Sequence, residues 1–311
     1  MNFTSIEYFL TLEQERSFSK AAEKLNITQQ TLSGHIAAVE KEMGCRLFTR
    51  RIPLDLTYAG KIFLEHARHI RMEDTELRQS MREIREERRG KLTIGISPTR
   101  GRALMPWIIT SYQKKWPDIT VALREGSNDA LEDFVRNGTV DAAIGAFPKP
   151  KGENFALTEF YSEEIVLLMS PEIYETAFSE KAPGTRMLEE EKEFSFLARC
   201  PFLLNPEGDI AGRFGRNLLR QAGIMPLIRA ESSNIETLLE LCVRGGGACF
   251  TPVNLARAVL TEKTFASLVQ VRFAQGAAYE ISFISLPQRN QWKMLQDFIK
   301  EAKKLYPGQG I

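Results

Sequence analysis

The sequence predicts an α/β protein in which an all-α N-terminal domain precedes two similar lobes built on parallel sheets. Two observations carry this prediction. Residues 17–44 hold two short amphipathic helices around a three-residue break, and residues 91–252 twice repeat the order strand, helix, strand, helix, strand. Alternating strands and helices produce parallel sheets with right-handed crossovers. A chain of 311 residues is also too long for one ordinary core.

Composition places the chain among soluble globular proteins, since 43% of its residues are hydrophobic and 26% are charged. No apolar run is long enough to cross a bilayer, and the N-terminus lacks the basic-then-apolar pattern of a signal peptide. We therefore expect a cytoplasmic protein with no membrane partner. The cysteines lack a CxxC spacing, which favours reduced and mostly buried thiols. They are Cys45, Cys200, Cys242 and Cys249.

Histidine usage argues against an enzyme. The chain has only His35, His66 and His69, so residues 70–311 cannot supply the histidine of a Ser-His-Asp or Cys-His pair, or a histidine-ligated metal. His66 and His69 lie one turn apart on a charged helix, where solvated side chains are favoured over a weak metal site. Gly245–Gly247 lacks the Lys-Ser/Thr of a phosphate loop. We expect no catalysis, no metal and no cofactor.

The helix pair of residues 17–44 predicts a DNA-reading element. Ser17 or Ser19 caps the first helix, Asn26 ends it, Thr28 caps the second, and Gly44 stops it. In a helix-turn-helix, the second helix enters the major groove by its N-terminal end. That end carries uncharged donors and acceptors, which can pair with base edges. The predicted base contacts are Thr28, Gln29, Gln30, Thr31, Ser33 and His35; the alternative is an ordinary polar helix face.

The next segment, "RLFTRRIPLDLTYAG" (46–60), predicts a β-hairpin with Arg50 and Arg51 near its tip, followed by a helix that Thr57 caps. A hairpin beside a reading helix makes residues 1–60 a winged helix-turn-helix. Its arginines would contact phosphates or the minor groove of double-stranded DNA. Residues 1–60 balance seven Lys/Arg against seven Asp/Glu, so this prediction depends on the placement of the cations.

The N-terminal residues carry a family resemblance. The series that carries it is Phe9, Ser17, Phe18, Ala21, Ala22, Leu25, Thr28, Gln29, Leu32, Ser33, Ile36, Glu40, Gly44, Leu47, Phe48, Arg50, Leu56, Thr57, Ala59 and Gly60. It resembles the LysR-type transcriptional regulators, specifically over residues 1–66 and more loosely beyond. The resemblance implies a winged helix-turn-helix, a linker helix that dimerises, a two-lobed effector domain that binds small-molecule inducers, and tetramers.

Residues 57–89 predict one long linker helix that Gly90 closes. Phe63, Ala67, Ile70, Leu77, Met81 and Ile84 fall on a and d heptad positions, with Asp74 at the a position between Ile70 and Leu77. A narrow apolar seam with charged flanks favours pairing of two copies. The alternative is a single amphipathic helix that lies on its own domain.

Residues 91–311 predict the two-lobed domain, with lobe I at 91–160 and 270–311 and lobe II at 161–269. The stretches 158–170 and 264–273 are the expected strands between the lobes, which can then hinge shut on a ligand. Ligands of parallel sheets bind outside the carboxyl ends of the strands, where helix N-termini favour anions. The predicted contacts with a small, anionic effector are Ser97, Thr99, Arg100, Ser127, Asn128, Asn205, Ser232, Asn234 and Thr251; ordinary helix capping is the alternative.

These features favour a sequence-specific DNA-binding transcriptional regulator that senses a small effector. A cysteine-based redox sensor of the same family is one alternative. Another is a solute-binding protein, which shares the two-lobed, periplasmic-binding-protein-like plan but would need a signal peptide instead of a winged N-terminus. An enzyme on the same scaffold is disfavoured by the missing histidines, metal cluster and nucleotide loop.

Overall fold

The computed structural model describes residues 2–49, 54–84, 89–147, 155–188, 191–274, 277–306 and 308–309. The chain divides into two compact units, Met1–Glu87 and Arg88–Ile311. In these described ranges, no helix combines the length and the apolar character needed to cross a membrane.

The N-terminal unit is helical, as predicted. Ser17 caps the second helix, and Thr28 caps the third by accepting a hydrogen bond from the Thr31 amide at 3.1 Å. Gly44 ends the third helix with a φ of 70°, which glycine adopts without strain. The helices are α1 (Phe3–Glu15), α2 (Phe18–Lys24), α3 (Gln29–Met43) and α4 (Tyr58–Ile84).

The base of the hairpin is fixed between α3 and α4. Glu40 of α3 accepts hydrogen bonds from the amides of Leu47 and Phe48, at 2.7 and 3.2 Å. Phe48 pairs with Leu56 across the hairpin. A Cβ on Gly60 would lie 2.0 Å from the Leu47 carbonyl oxygen, so the close approach of α4 requires glycine there. The predicted tip residues, Arg50 and Arg51, lie outside the described residues.

The linker helix divides into two parts with different surroundings. Phe63, Ala67 and Ile70 pack in the core of the N-terminal unit, where the Phe63 ring centroid lies 4.6 Å from that of Phe9. Leu77 and Met81 are instead 60% and 48% exposed. The first part therefore lies on its own domain, and the second presents an uncovered apolar stripe. The side chain of Ile84 is outside the described set.

One expectation for the linker is corrected, and one seam residue gains a partner. Asp74, at the a position between Ile70 and Leu77, forms an ion pair with Arg78 of the same helix at 2.8 Å. Gly90 does not close the helix, because it is the first residue of the strand that follows. In the sequence, a glycine after a charged helix can either end the helix or begin the next strand. The pairing of Gly90 with Ile119 shows that it begins the strand.

The C-terminal unit contains both predicted strand-and-helix repeats, with boundaries that differ by a few residues. Its helices are α5 (Pro98–Gln113), α6 (Asn128–Arg136), α7 (Pro171–Phe178), α8 (Ile210–Gln221), α9 (Ile235–Val243), α10 (Val253–Val259), α11 (Glu262–Ala266), α12 (Pro287–Asn290) and α13 (Lys293–Leu305), with a 3-10 helix at Glu191–Arg199. Its strands are β1 (Gly90–Ile96), β2 (Ile119–Glu125), β3 (Ala142–Gly145), β4 (Ala156–Met169), β5 (Thr185–Leu188), β6 (Pro201–Leu204), β7 (Leu227–Glu231), β8 (Ala248–Pro252), β9 (Val269–Phe273), β10 (Ala278–Ser285) and β11 (Gly308–Gln309).

The sheet is mixed, which corrects the expectation of purely parallel sheets. Its strand order is β2-β1-β3-β10-β4-β8-β6-β7. The strands of each predicted repeat pair in parallel, but β10 is antiparallel to β3 and β4, and β4 is antiparallel to β8 and β9. The returning strands run against the repeats because they come back from the other half of the domain.

Strand β4 joins the two halves of the domain, since its N-terminal part pairs with β10 and its C-terminal part with β8 and β9. The predicted second crossing at 264–273 is partly helix, because α11 occupies Glu262–Ala266. Strand β9 pairs with β4 and β5 in the second half, so the return to the first half follows residue 273 and not residue 270. The sequence missed α11 because its apolar residues also suit a strand.

Candidate functional sites

The first turns of α3 present a row of uncharged polar side chains. Gln29, Gln30, Thr31 and Ser33 are exposed, whereas Leu32 is buried in the core of the N-terminal unit. The helical repeat thus separates a core face from a polar face, as the sequence indicates. The exposed row consists of hydroxyls and amides, which are the groups that hydrogen-bond to base edges.

Hydrogen bonds to neighbouring residues orient part of this row. The Ser19 hydroxyl of α2 donates to Gln29 Oε1 at 3.0 Å, which leaves Gln29 Nε2 as a donor. The hydroxyls of Thr28 and Thr31 lie 2.8 Å apart in a mutual hydrogen bond. His35 is half-buried and packs edge-on against Tyr8, with ring centroids 4.8 Å apart. Part of the surface of the His35 ring therefore packs within the domain. The sequence did not predict the Ser19 contact, because it joins two helices.

A cleft of about 730 Å³ lies between the two halves of the C-terminal unit. Seven of the nine predicted effector residues line it, namely Ser97, Thr99, Arg100, Ser127, Asn128, Asn205 and Asn234. They come from carboxyl ends of strands and starts of helices in both halves, where ligands of such sheets bind.

The other two predicted residues do not line the cleft. Thr251 is fully buried, and its hydroxyl donates to the Pro252 carbonyl oxygen at 3.4 Å. The Ser232 hydroxyl accepts a hydrogen bond from the backbone amide of Asn234 at 3.0 Å. The neighbouring Ser233 lines the cleft instead. A strand-end position in the sequence does not fix which way a side chain points, so these two strand-end residues lie outside the cleft lining.

Five helices begin at the cleft, and three of them are capped by side chains. The Ser127 hydroxyl accepts from the Ala130 amide at the start of α6. Asp209 and Asn234 each accept from two amides, at the starts of α8 and α9. Ser97 does not cap α5, because its hydroxyl accepts from Arg100 Nη1 at 3.3 Å. The first amides of α5 thus lack the side-chain acceptor that α6, α8 and α9 have, and α10, which follows Pro252, lacks one too.

A buried ionic cluster lies beside the start of α5. Arg100 Nη2 donates to Glu163 Oε2 at 2.8 Å, and the two residues are 5% and 1% exposed. The hydroxyls of Tyr161 and Tyr279 also donate to Glu163. Burial raises the pKa of both tyrosines, so their hydroxyls keep the protons that they donate. Arg100 is therefore neutralised by Glu163, a partner that the sequence did not predict.

The charged lining of the cleft is mostly acidic, which the sequence did not predict either. Besides Arg100, its charged residues are Glu125, Asp129, Asp209 and Glu236. Glu236 pairs with Arg102 at 3.1 Å, and this ion pair links α9 in the second half to α5 in the first. An effector with negative charge alone would meet acids on both walls.

Metal and thiol chemistry have little support in the described ranges. No group of three His, Cys, Asp or Glu side chains there could hold a metal ion. Cys200, Cys242 and Cys249 are buried, and Cys45 is exposed. Burial raises the pKa of both Cys200 and Cys242 to about 12, which suppresses the reactive thiolate.

Family models and relatives agree with this architecture. Residues 3–61 match the bacterial regulatory helix-turn-helix protein of the lysR family, and residues 85–306 match the LysR substrate binding domain. The HTH-type transcriptional regulator YcgK of Bacillus subtilis is 31% identical over 83% of this chain and 81% of its own. The hydrogen peroxide-inducible genes activator of Haemophilus influenzae is 28% identical over 85% of this chain and 83% of its own.

Solved structures share the fold. A full-length OxyR variant from Pseudomonas aeruginosa superposes with a TM-score of 0.72 at 22% identity, covering 97% of this chain and 95% of that one. Full-length CbnR in complex with its target DNA gives a TM-score of 0.63 at 20% identity, covering 98% and 99%. Since both family models match in the expected order and span most of the chain, this protein belongs to the LysR family of DNA-binding transcriptional regulators.

Proposed function

We propose that this regulator reads its operator with the first turns of α3 and responds to a small effector that carries an acidic group. The exposed row of uncharged donors and acceptors on α3 carries the first half of this proposal. Gln29, Gln30, Thr31 and Ser33 read bases, while Arg50 and Arg51 of the wing hold phosphates. A regulator of this kind acts on the chromosome in the cytoplasm and needs no catalysis.

Two variants separate these DNA contacts. Gln29→Ala removes a base-edge donor, so binding to an operator selected from random DNA should weaken by about 1–3 kcal/mol, with little change on a random duplex. Arg50→Ala should weaken both duplexes alike and reduce the salt dependence by about one phosphate contact. Fluorescence anisotropy with labelled duplexes measures both effects.

The control is Gln14→Ala, which removes an exposed glutamine of α1 in the same unit and should leave operator affinity unchanged. Ser19→Ala tests the support of Gln29, and should have a smaller effect in the same direction. Equal losses on operator and random DNA for Gln29→Ala would contradict base reading by this residue.

The effector site is proposed at the start of α5. The amides of Thr99 and Arg100 have no side-chain cap, and the helix N-terminus favours negative charge. Thr99 lines the cleft and adds a hydroxyl donor. An effector carboxylate that accepts hydrogen bonds from these groups satisfies the open start of α5. This supports the sequence-based prediction that Ser97 and Thr99 contact the effector.

Thr99→Val tests this site. Loss of one hydrogen bond to a charged acceptor should weaken the binding of an acidic effector by about 1.5–3 kcal/mol. A thermal-shift screen of small organic acids supplies the ligand, and calorimetry gives its affinity for each variant. Thr110→Val is the control, because Thr110 is exposed near the other end of α5. Equal affinities for wild type and Thr99→Val would remove Thr99 from the site.

The oligomer is proposed to form through α4. Leu77 and Met81 leave an apolar stripe exposed on the second part of this helix, and a second copy of α4 would cover it. Dimers place two recognition helices on successive major grooves, so operator affinity should follow dimerisation. Tetramers, which the LysR family resemblance implies, complete this proposal.

The redox alternative receives less support from the cysteines. Two relatives are named as activators of hydrogen peroxide-inducible genes, but reactive sensing cysteines need thiolate character and solvent access. Cys200 and Cys242 have neither, because burial raises their pKa to about 12. The buried thiols serve packing of the second half instead, where Cys200 and Cys242 lie in two apolar clusters.

A further inference from the structure

One side chain that lines the cleft has a buried amide oxygen without a partner among the described residues. Asn205 lines the cleft wall of the second half and is 3% exposed. Its Oδ1 is buried and accepts no hydrogen bond from the described part of the chain, while its backbone carbonyl oxygen accepts one from Arg216 at 3.2 Å. A buried polar atom without a partner costs free energy, which a ligand donor recovers on binding. A ligand group that faces the wall opposite α5 should therefore be a hydrogen-bond donor.

The position of Asn205 is fixed by tight packing. A Cβ on Gly212 would lie 2.6 Å from the Asn205 carbonyl oxygen and 2.2 Å from that of Pro206, so α8 is pressed against this backbone. Asp209 caps the same helix with Oδ1, which orients its carboxylate at the cleft. The backbone that carries the Asn205 side chain is thus held against α8.

The charges of the cleft favour a cationic donor. Arg100 is neutralised by Glu163, and Glu236 is paired with Arg102. Glu125, at the end of β2, is exposed to the cleft, with Oε1 about 4.0 Å from the position of a Cβ on Gly101 in α5. This carboxylate lies near the start of α5, the proposed acid site, where the acidic group of the effector binds. It repels a second anion but attracts an ammonium group attached to the same ligand.

We infer that the effector is a small zwitterion of the amino-acid type. This inference rests on the proposed acid site and names the class of ligand that fills it. The ligand's carboxylate binds the open start of α5, and its ammonium group donates to Glu125 and Asn205. An ammonium group has three donors and no acceptor, which matches a carboxylate and an unpaired amide oxygen. Acids without an amino group can bind the start of α5 but have no ammonium group to donate to Glu125 and Asn205.

The test uses the full chain and a defined set of probes. The probes are the twenty standard amino acids, together with the deaminated acid and the decarboxylated amine that correspond to each. Thermal shift identifies the binding member, and calorimetry then compares it with its two matched partners. We expect the amino acid to bind at least tenfold more tightly than either partner.

Three variants test which residues bind the ammonium group of the ligand. Glu125→Gln should weaken the bound amino acid at least tenfold, and should leave its deaminated partner as tightly bound or tighter because a repulsive charge is gone. Asn205→Ala should weaken the amino acid at least fivefold, and Asn205→Asp should strengthen it because the amide nitrogen becomes a second acceptor. Asn217→Ala is the matched control, an exposed asparagine on the far part of α8.

The outcomes separate this inference from the proposed acid site. Deaminated acids that bind as tightly as amino acids, or an equal loss for both ligands in Glu125→Gln, overturn the zwitterion and keep the acid site. Amines that bind as tightly as amino acids overturn the acid site at α5. A panel with no binding member overturns the zwitterion class. If Asn205→Ala unfolds, the exposed Glu125→Gln still decides the question.

Discussion

At the cleft, α5 begins differently from α8 and α9. In the second half, Asp209 and Asn234 each accept hydrogen bonds from two amides, so α8 and α9 are closed at their starts. In the first half, Ser97 turns its hydroxyl toward Arg100 and leaves α5 without a side-chain cap. Similar residues at similar positions thus serve helix stability at α6, α8 and α9 and leave hydrogen-bonding capacity open at α5.

This difference teaches how a binding site can be distinguished from ordinary capping. A capped start has satisfied its amides within the chain, whereas an open start keeps them for water or a ligand. On the first wall, the buried cluster around Glu163 holds Arg100 in place, so Arg100 engages the serine that would otherwise cap its own helix. The open start is a consequence of this tertiary contact.

The largest expected effect comes from breaking the buried cluster. Glu163→Gln leaves the charge of Arg100 buried without a counter-ion, so the free energy of unfolding should fall by about 3–5 kcal/mol. Urea denaturation followed by circular dichroism measures this. Glu164→Gln is the matched control, since the adjacent Glu164 pairs with the largely exposed Arg272 and should cost at most about 1 kcal/mol. Equal losses for the two variants would refute the role of the cluster.

An intermediate effect should separate a cap from an open start. Asp209→Ala removes the acceptor of two α8 amides and should lower the free energy of unfolding by about 0.5–2 kcal/mol. Ser97→Ala removes no cap, so its stability should stay within about 0.5 kcal/mol of wild type. The same denaturation measurements apply. A Ser97→Ala loss as large as that of Asp209→Ala would mean that Ser97 caps α5 in solution.

The smallest effect concerns the contact between the walls. The ion pair of Arg102 with Glu236 joins α5 to α9, but its partners are 52% and 37% exposed. A double-mutant cycle with Arg102→Gln and Glu236→Gln should give a coupling of about 0.2–1 kcal/mol, because exposed pairs are screened by water. The coupling should decline at high salt. A coupling that is independent of salt would contradict this assignment.

Local signals sufficed for much of the prediction. The caps Ser17 and Thr28 and the stop at Gly44 are where the sequence predicts them, because capping depends on neighbours three or four residues away. The apolar positions of α3 also follow directly from the helical repeat. Seven of nine predicted effector residues line the cleft because strand ends in such repeats meet at one edge of the sheet.

Long-range contacts account for what the sequence did not predict. The antiparallel return of β10 between β3 and β4 depends on the path of the chain between the two halves. The partners of Arg100 are separated from it by 61 and 63 residues, and no local pattern reveals Tyr161 or Glu163 as its neighbours. The acidic lining, too, comes from several elements that are distant in the sequence.

By itself, the sequence determined the family, the helix pair with its polar reading face, and the two strand-and-helix repeats. These depend on periodicity, capping and turn residues, which act over a few positions. Only the tertiary structure decided that Ser97 leaves α5 open, that Arg100 is neutralised and that Asn205 Oδ1 lacks a partner in the described part of the chain. Burial and charge pairing are properties of residues brought together by folding, so the chemistry of the cleft is set where the two halves meet.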